Sequence, residues 1–172
     1  MELSKFIHSI NAVKPSKIRI ESDEVTYSLH IIIRFQIEKD LFGDKITVAE
    51  LPSVWNQKYK EILGVKIEND SEGVMQDTHW ASGLYGYFPS YALGNIYTGQ
   101  IINAIHQSNK NWRDELKQGS LESIRKWLRN NIYNKGNLYN PADLIKKVTG
   151  TELTVQPYLQ YLQEKYSTLY AF

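Results

Sequence analysis

The side chains best suited to chemistry crowd into one stretch. It runs Gly73-Val74-Met75-Gln76-Asp77-Thr78-His79-Trp80 and continues to Gly83-Leu84-Tyr85-Gly86-Tyr87-Phe88-Pro89-Ser90-Tyr91. Glycines let backbone approach a ligand closely. A carboxylate at Asp77 can orient an imidazole and raise its basicity. The hydroxyls of Tyr87 and Tyr91 are the right type to donate to a developing oxyanion. The bland alternative is a buried aromatic hinge in which Gln76 and Asp77 satisfy loop amides.

A second cluster is Ile18-Arg19-Ile20-Glu21-Ser22-Asp23-Glu24. A guanidinium held rigid there would suit bidentate capture of a carboxylate. The competing reading is a local ion pair between Arg19 and the acids at 21, 23 and 24, worth little if exposed. His8 and His106 sit among apolar neighbours on expected helices and read as packed or surface residues. No pair of histidines has the HExxH spacing that lets two imidazoles chelate zinc from one helix face, and no Glu-x-x-His pair occurs. The sequence has no cysteine, which removes disulfides, thiolate nucleophiles and thiolate metal sites.

These groups need a scaffold, and 172 residues provide one domain of middling size. Charged residues make up 23% and hydrophobic ones 42%, the balance of an ordered globular chain. Twenty basic and nineteen acidic residues leave a net charge of +1, which argues against a broad nucleic-acid binder. Apolar runs are too short for a membrane helix or a signal peptide. A cytoplasmic location follows from the missing cysteines. Twelve tyrosines and four tryptophans are many for this length.

The periodicity predicts a mainly α fold. Apolar residues at 3, 6, 7, 10 and 13 fit a short first helix that Pro15 ends. From Asp23 to Phe42 the spacing is mostly helical, but β-branched residues are dense, so a strand is an alternative for part of it. Ser22 or Asp23 would cap that element and Gly43 would stop it. Thr47 with Glu50 forms a capping box for a helix to Leu63, closed by Gly64. Val65 to Gly86 has no clear period. Helices follow over 91–106, 109–117 and 120–131. Asn140-Pro141-Ala142-Asp143 opens another that ends at Gly150, and the last begins near Pro157. No repeat or domain boundary is visible, so residues 1–172 read as a single helical domain, with short strands near the groove as the remaining alternative.

The motif Gly73-x-x-Gln76-Asp77-x-His79-Trp80 resembles the GxxQDxHW motif of the thermostable, Taq-type zinc carboxypeptidases. Ile18-Arg19-x-x-Ser22-Asp23 is similar to that family's IRxxAD, with Ser in place of the usual Ala. Leu51-Pro52-x-x-Trp55-Asn56-x-Lys58-Tyr59, Gly86-Tyr87-Phe88-Pro89-x-Tyr91 and Pro157-Tyr158-Leu159-x-Tyr161-Leu162-x-x-Lys165-Tyr166 also look like family segments. The resemblance covers nearly the whole chain and implies a helical, zincin-like metallocarboxypeptidase with a deep groove. Such enzymes release C-terminal residues from peptides by metal-activated water attack. It also implies roles. Arg19 would recognise the substrate's terminal carboxylate, with Asp23 as a positioner. His79 would sit near the scissile carbonyl or the attacking water. Gln76 and Asp77 would line the substrate site, and Tyr87 or Tyr91 would supply the oxyanion donor.

The family's HExxH helix, its downstream glutamate and its HPF and DxRxT motifs have no counterpart here, so the chain resembles the C-terminal third only. Three readings follow. The first is part of a carboxypeptidase, inactive alone, which binds no zinc or other divalent metal by itself and pairs with an HExxH-bearing polypeptide. The second is a non-catalytic helical module that binds peptide C-termini or another protein. The third is a helical bundle without function. Surface that once packed on a missing part would favour homo-oligomers, with no nucleic-acid or membrane partner.

Overall fold

Capping signals and apolar spacing set the helices of the computed structural model, which describes residues 2–171. In chain order they are α1 (Leu3–Ile10), α2 (Tyr27–Phe42), α3 (Leu51–Leu63), α4 (Thr78–Ala81), α5 (Pro89–Ser108), α6 (Trp112–Lys117), α7 (Glu122–Asn131), α8 (Pro141–Thr149) and α9 (Gln156–Tyr170). Short 3-10 turns lie at Arg19–Glu21, Val48–Glu50, Val74–Gln76 and Tyr133–Lys135. The described residues contain no strand, so the dense β-branching of α2 yields to its helical spacing. They also contain no helix long and apolar enough to cross a membrane.

The expected caps are mostly in place. The Glu50 carboxylate accepts both the Thr47 N–H (2.8 Å) and the Thr47 hydroxyl (2.7 Å). Gly64 and Gly150 end α3 and α8 in the left-handed conformation. The start of α2 differs from expectation. Its N-cap position is Thr26, and the Asp23 carboxylate instead organises the turn before it. At its end Gly43 has an ordinary negative φ, and the left-handed residue is Asp44.

The chain divides into two compact units, one up to Ala92 and one from Leu93 onward. The core of the first is an α2–α3 interface. Ile33, Ile37, Trp55, Tyr59, Leu63 and Ile67 are buried together, and Trp80 packs against them. Trp55 and Tyr59, four apart on α3, stack with ring centroids 4.9 Å apart. Helix α2 is apolar on more than its packed side. Ile32, Phe35 and Phe42, at helical spacing of three and seven, are exposed.

In the second unit Ile105, Trp112, Ile145, Tyr158 and Tyr166 are buried. Gln100 is 2% exposed and fully bonded. Its amide donates to Thr151 Oγ1 and the Glu152 carbonyl, and its oxygen accepts the Thr154 N–H. One turn of α5 meets α9 at Gly99, where a Cβ would stand 2.7 Å from Tyr158 N and 2.8 Å from its Cα. Backbone there has no rotamer to change. Gly99→Ala is therefore expected to lower stability by about 1–3 kcal/mol, read as a drop in the thermal midpoint by circular dichroism. An unchanged midpoint would mean the two helices separate at little cost.

Candidate active site

The first unit assembles its polar and aromatic residues from three segments. The Arg19–Glu21 turn is followed by Asp23, whose carboxylate accepts the N–H groups of Lys14, Val25 and Thr26 and the Thr26 hydroxyl at 2.8–3.0 Å. Burial is the largest single influence on that carboxyl and pushes it up. The bonds from Thr26, Lys14 and Val25 together outweigh it and hold Asp23 below the usual carboxylate range. Ser22 closes the turn by donating to the Arg19 carbonyl at 2.6 Å.

Among the described residues no carboxylate pairs with the Arg19 side chain, so the local pairing with Glu21, Asp23 or Glu24 does not occur. Arg19 Nη1 donates to the Tyr27 hydroxyl at 2.8 Å. Its guanidinium carbon lies 4.7 Å from the centre of the Tyr91 ring, 5.6 Å from Phe88 and 5.7 Å from Tyr27. The result is a half-buried cation walled by aromatic rings, with donors left over.

His79 lies on the one-turn helix α4. Its Nε2 is 3.0 Å from the Tyr91 hydroxyl. The Tyr87 ring stacks on it at 5.4 Å with planes 20° apart, and Phe88 packs at 4.5 Å. Phe88 and Tyr91 thus touch both Arg19 and His79. Tyr91's hydroxyl is engaged by the imidazole, whereas Tyr87, 45% exposed, presents its ring.

The other expected residues lie elsewhere around this pair. Asp77 is buried, and no hydrogen bond joins it to His79, contrary to the imidazole-orienting role read from sequence. As the N-cap of α4 its Oδ1 accepts the Trp80 N–H at 2.9 Å, and its Oδ2 accepts Arg34 Nε at 3.2 Å. Gln76 is exposed, and its amide donates to the Ser71 carbonyl. Lys17, two residues before Arg19, pairs with Glu72 at 2.6 Å and so ties the Arg19 segment to the loop that leads into α4.

Sequence reasoning missed the polar column beneath the site. His30, Arg34 and Glu38 follow one another at intervals of four along α2, and all are buried. Arg34 is 2% exposed. Besides Asp77 it donates to the Tyr59 hydroxyl (2.9 Å) and the His30 carbonyl (3.3 Å), and its guanidinium lies 4.6 Å from the Trp55 ring and 5.0 Å from Phe88. Tyr59 accepts from Arg34, so its own proton goes to His30 Nδ1, 3.1 Å away. The neutral His30 therefore carries its proton on Nε2, which has no partner among the described residues. Burial first, then the Arg34 and Arg19 charges, push His30 down from 6.5 to about 4, against a smaller pull from Asp23. The signal was available: polar residues repeating every four inside an apolar helix.

No group of three or more His, Cys, Asp or Glu among the described residues can hold a metal. The donor chemistry of the site agrees: His79 bonds a tyrosine, and both Asp77 oxygens are engaged. These residues do not fit a catalytic metal centre.

The class is that of a helical peptidase fold. A carboxypeptidase of the same family from Deinococcus radiodurans superposes with a TM-score of 0.93 at 36% identity, over 95% of this chain and 33% of that one. The chain belongs to the carboxypeptidase Taq (M32) metallopeptidase family, whose model matches residues 1–166. Carboxypeptidase 1 of Bacillus subtilis is 45% identical over 99% of this chain, and thermostable carboxypeptidase 1 of Thermus thermophilus is 40% identical over the same share. The matched region is 34% and 33% of those proteins, so the chain spans about a third of the length of the curated relatives it matches.

Proposed function

We propose that this chain forms the substrate-carboxylate side of a metal-dependent carboxypeptidase and does not hydrolyse peptides by itself. Arg19 carries the reading. It is a cation without an ion-pair partner among the described residues, set in aromatic walls and joined to His79 through Tyr91 and Phe88. Such a guanidinium suits the terminal carboxylate of a peptide. His79 then lies next to the scissile bond, with Tyr87 or Tyr91 as donor to its oxygen. Asp23 and Asp77 hold these groups in place, and Gln76 stands at the rim. Tyr91 would have to leave His79 to serve as donor, which favours Tyr87.

The sequence has no HExxH, and its described residues offer no donor set, so zinc or another divalent metal and the general base would come from a separate HExxH-bearing polypeptide. The exposed stripe of Ile32, Phe35 and Phe42 supports association with such a partner or with a second copy. The cysteine-free composition supports a cytoplasmic setting. The same stripe also favours a second reading, a non-catalytic module that binds peptide C-termini within a larger assembly.

The test titrates the chain with N-acetyl-phenylalanine and with its amide. The acid is expected to bind, the amide not, and Arg19→Met to weaken the acid by about 10- to 100-fold, the value of a charge-assisted hydrogen bond. Equal binding of acid and amide would overturn the carboxylate role. Metal analysis after zinc loading is expected to find no stoichiometric zinc, and a blocked dipeptide is expected to stay intact. One tightly held zinc with hydrolysis would refute inactivity. Activity gained on mixing with an HExxH-bearing polypeptide separates the enzyme reading from the binding module.

A further inference from the structure

Glu38 is a buried carboxylate that pairs with no cation among the described residues. It is 7% exposed. Taking a carboxylate out of water without a counter-charge is costly unless donors replace the water. Two do. Trp80 Nε1 donates to Oε2 at 3.3 Å, and the Gly86 N–H donates to Oε1. Those donors stand at the two ends of one loop. Trp80 follows His79 directly, and Gly86 precedes Tyr87 directly. Gly86 has φ +70°, a conformation that glycine adopts without strain, so its N–H can be turned toward the helix.

One turn earlier on the same helix, Arg34 holds Asp77, the cap of α4. Helix α2 therefore grips the segment 77–86 at Asp77, Trp80 and Gly86. His79 lies between the first two grips, and Tyr87 leaves the third.

We infer that Glu38 is a positioning residue that closes the loop between Trp80 and Gly86 and so sets the Tyr87 ring over His79. The carboxylate is the suitable group because both partners are donors and an ionised carboxylate only accepts. An amide would offer one acceptor and turn an NH2 toward the other donor. The functional weight of the His79–Tyr87 pair rests on the reading above; the placement of the pair by Glu38 does not.

The experiment compares the full chain with Glu38→Gln by NMR. Three signals are read: exchange of the Gly86 amide, the Trp80 indole N–H, and the ring-current shift of the His79 ring protons. In Glu38→Gln, Gly86 exchange is expected to rise by about tenfold or more. The Trp80 indole signal is expected to move, and the His79 ring protons to lose the Tyr87 share of their ring-current shift while the Phe88 and Tyr91 shares stay. Core amides of α3 are expected to keep their protection. Glu38→Asp keeps both acceptors on a shorter arm and is expected to restore part of the His79 shift.

An unchanged His79 shift would overturn the inference, whether or not Gly86 exchange rises. Equal acceleration at α3 would overturn it too, since Glu38 would then act through stability alone. If Glu38→Gln does not fold, Glu38→Asp against the native chain decides by the same signals. No metal or peptide enters these measurements. Failure here therefore leaves the carboxylate titration standing, and failure there leaves this inference standing.

Discussion

Arg34→Met is expected to lower the stability of the first unit by about 3–5 kcal/mol, the range for breaking a buried ion pair by removing one partner. The substitution keeps much of the side-chain volume. It leaves Asp77 as a buried carboxylate, 5% exposed, with the Trp80 N–H as its one remaining donor among the described residues. It also removes the donor to Tyr59 and the cation between Trp55 and Phe88. Most of the loss comes from the stranded charge, so the double variant Arg34→Met/Asp77→Asn should recover a substantial part of it. Urea unfolding followed by exchange at the α2 and α3 amides reports on the unit that contains the change. A loss under about 1 kcal/mol, the size of a surface pair, would mean that water reaches Asp77.

Acid is expected to weaken the same unit in a window set by His30. In the unfolded chain this imidazole takes up its proton near 6.5, and in the folded chain only near 4. Above 6.5 both states are neutral and His30 adds no pH dependence. As pH falls from 6.5 toward 4, the unfolded chain binds a proton that the folded chain does not, so stability declines. The decline totals about 3 kcal/mol, at about 1.4 kcal/mol per pH unit, and levels off below 4. His30→Asn keeps an acceptor for the Tyr59 hydroxyl and cannot ionise. It is expected to flatten the stability–pH curve between 6.5 and 4. Asp23 acts in a separate range. Its carboxyl is held low, so its contribution is present above its ordinary value of 3.8 and is lost only as pH falls further. A wild-type curve that stays flat from 6.5 to 4 would show that His30 is protonated in the fold without penalty.

Helix ends were legible in the sequence to within a few residues wherever a local cap exists. Thr47 with Glu50, Gly64, Asn140-Pro141 and Gly150 all mark real boundaries, because each signal acts within one turn of chain. The start of α2 was read less well. Asp23 does bind backbone N–H groups, but it does so through a turn that precedes the helix. The strand alternative for α2 stayed open because β-branched residues suit a sheet; the helical spacing prevails, and it places Ile33 and Ile37 against α3. Arg19, His79, Tyr87 and Tyr91 stood out by type and motif. Their contacts were not legible: Asp77 carried two readings, an imidazole's partner or an acceptor of loop amides, and it accepts the Trp80 N–H and pairs with Arg34.

The sequence by itself determined the family and the helical class. Those properties reside in local spacing and in ordered motifs that survive without coordinates. Only the tertiary structure decided that Arg19 and His79, sixty positions apart, share Phe88 and Tyr91. It alone decided that the His30, Arg34 and Glu38 column faces inward beneath them. The reason is that a charged residue's role depends on which water it loses and which donor or acceptor replaces that water. That exchange is made by residues far away in the chain, and no local pattern encodes it.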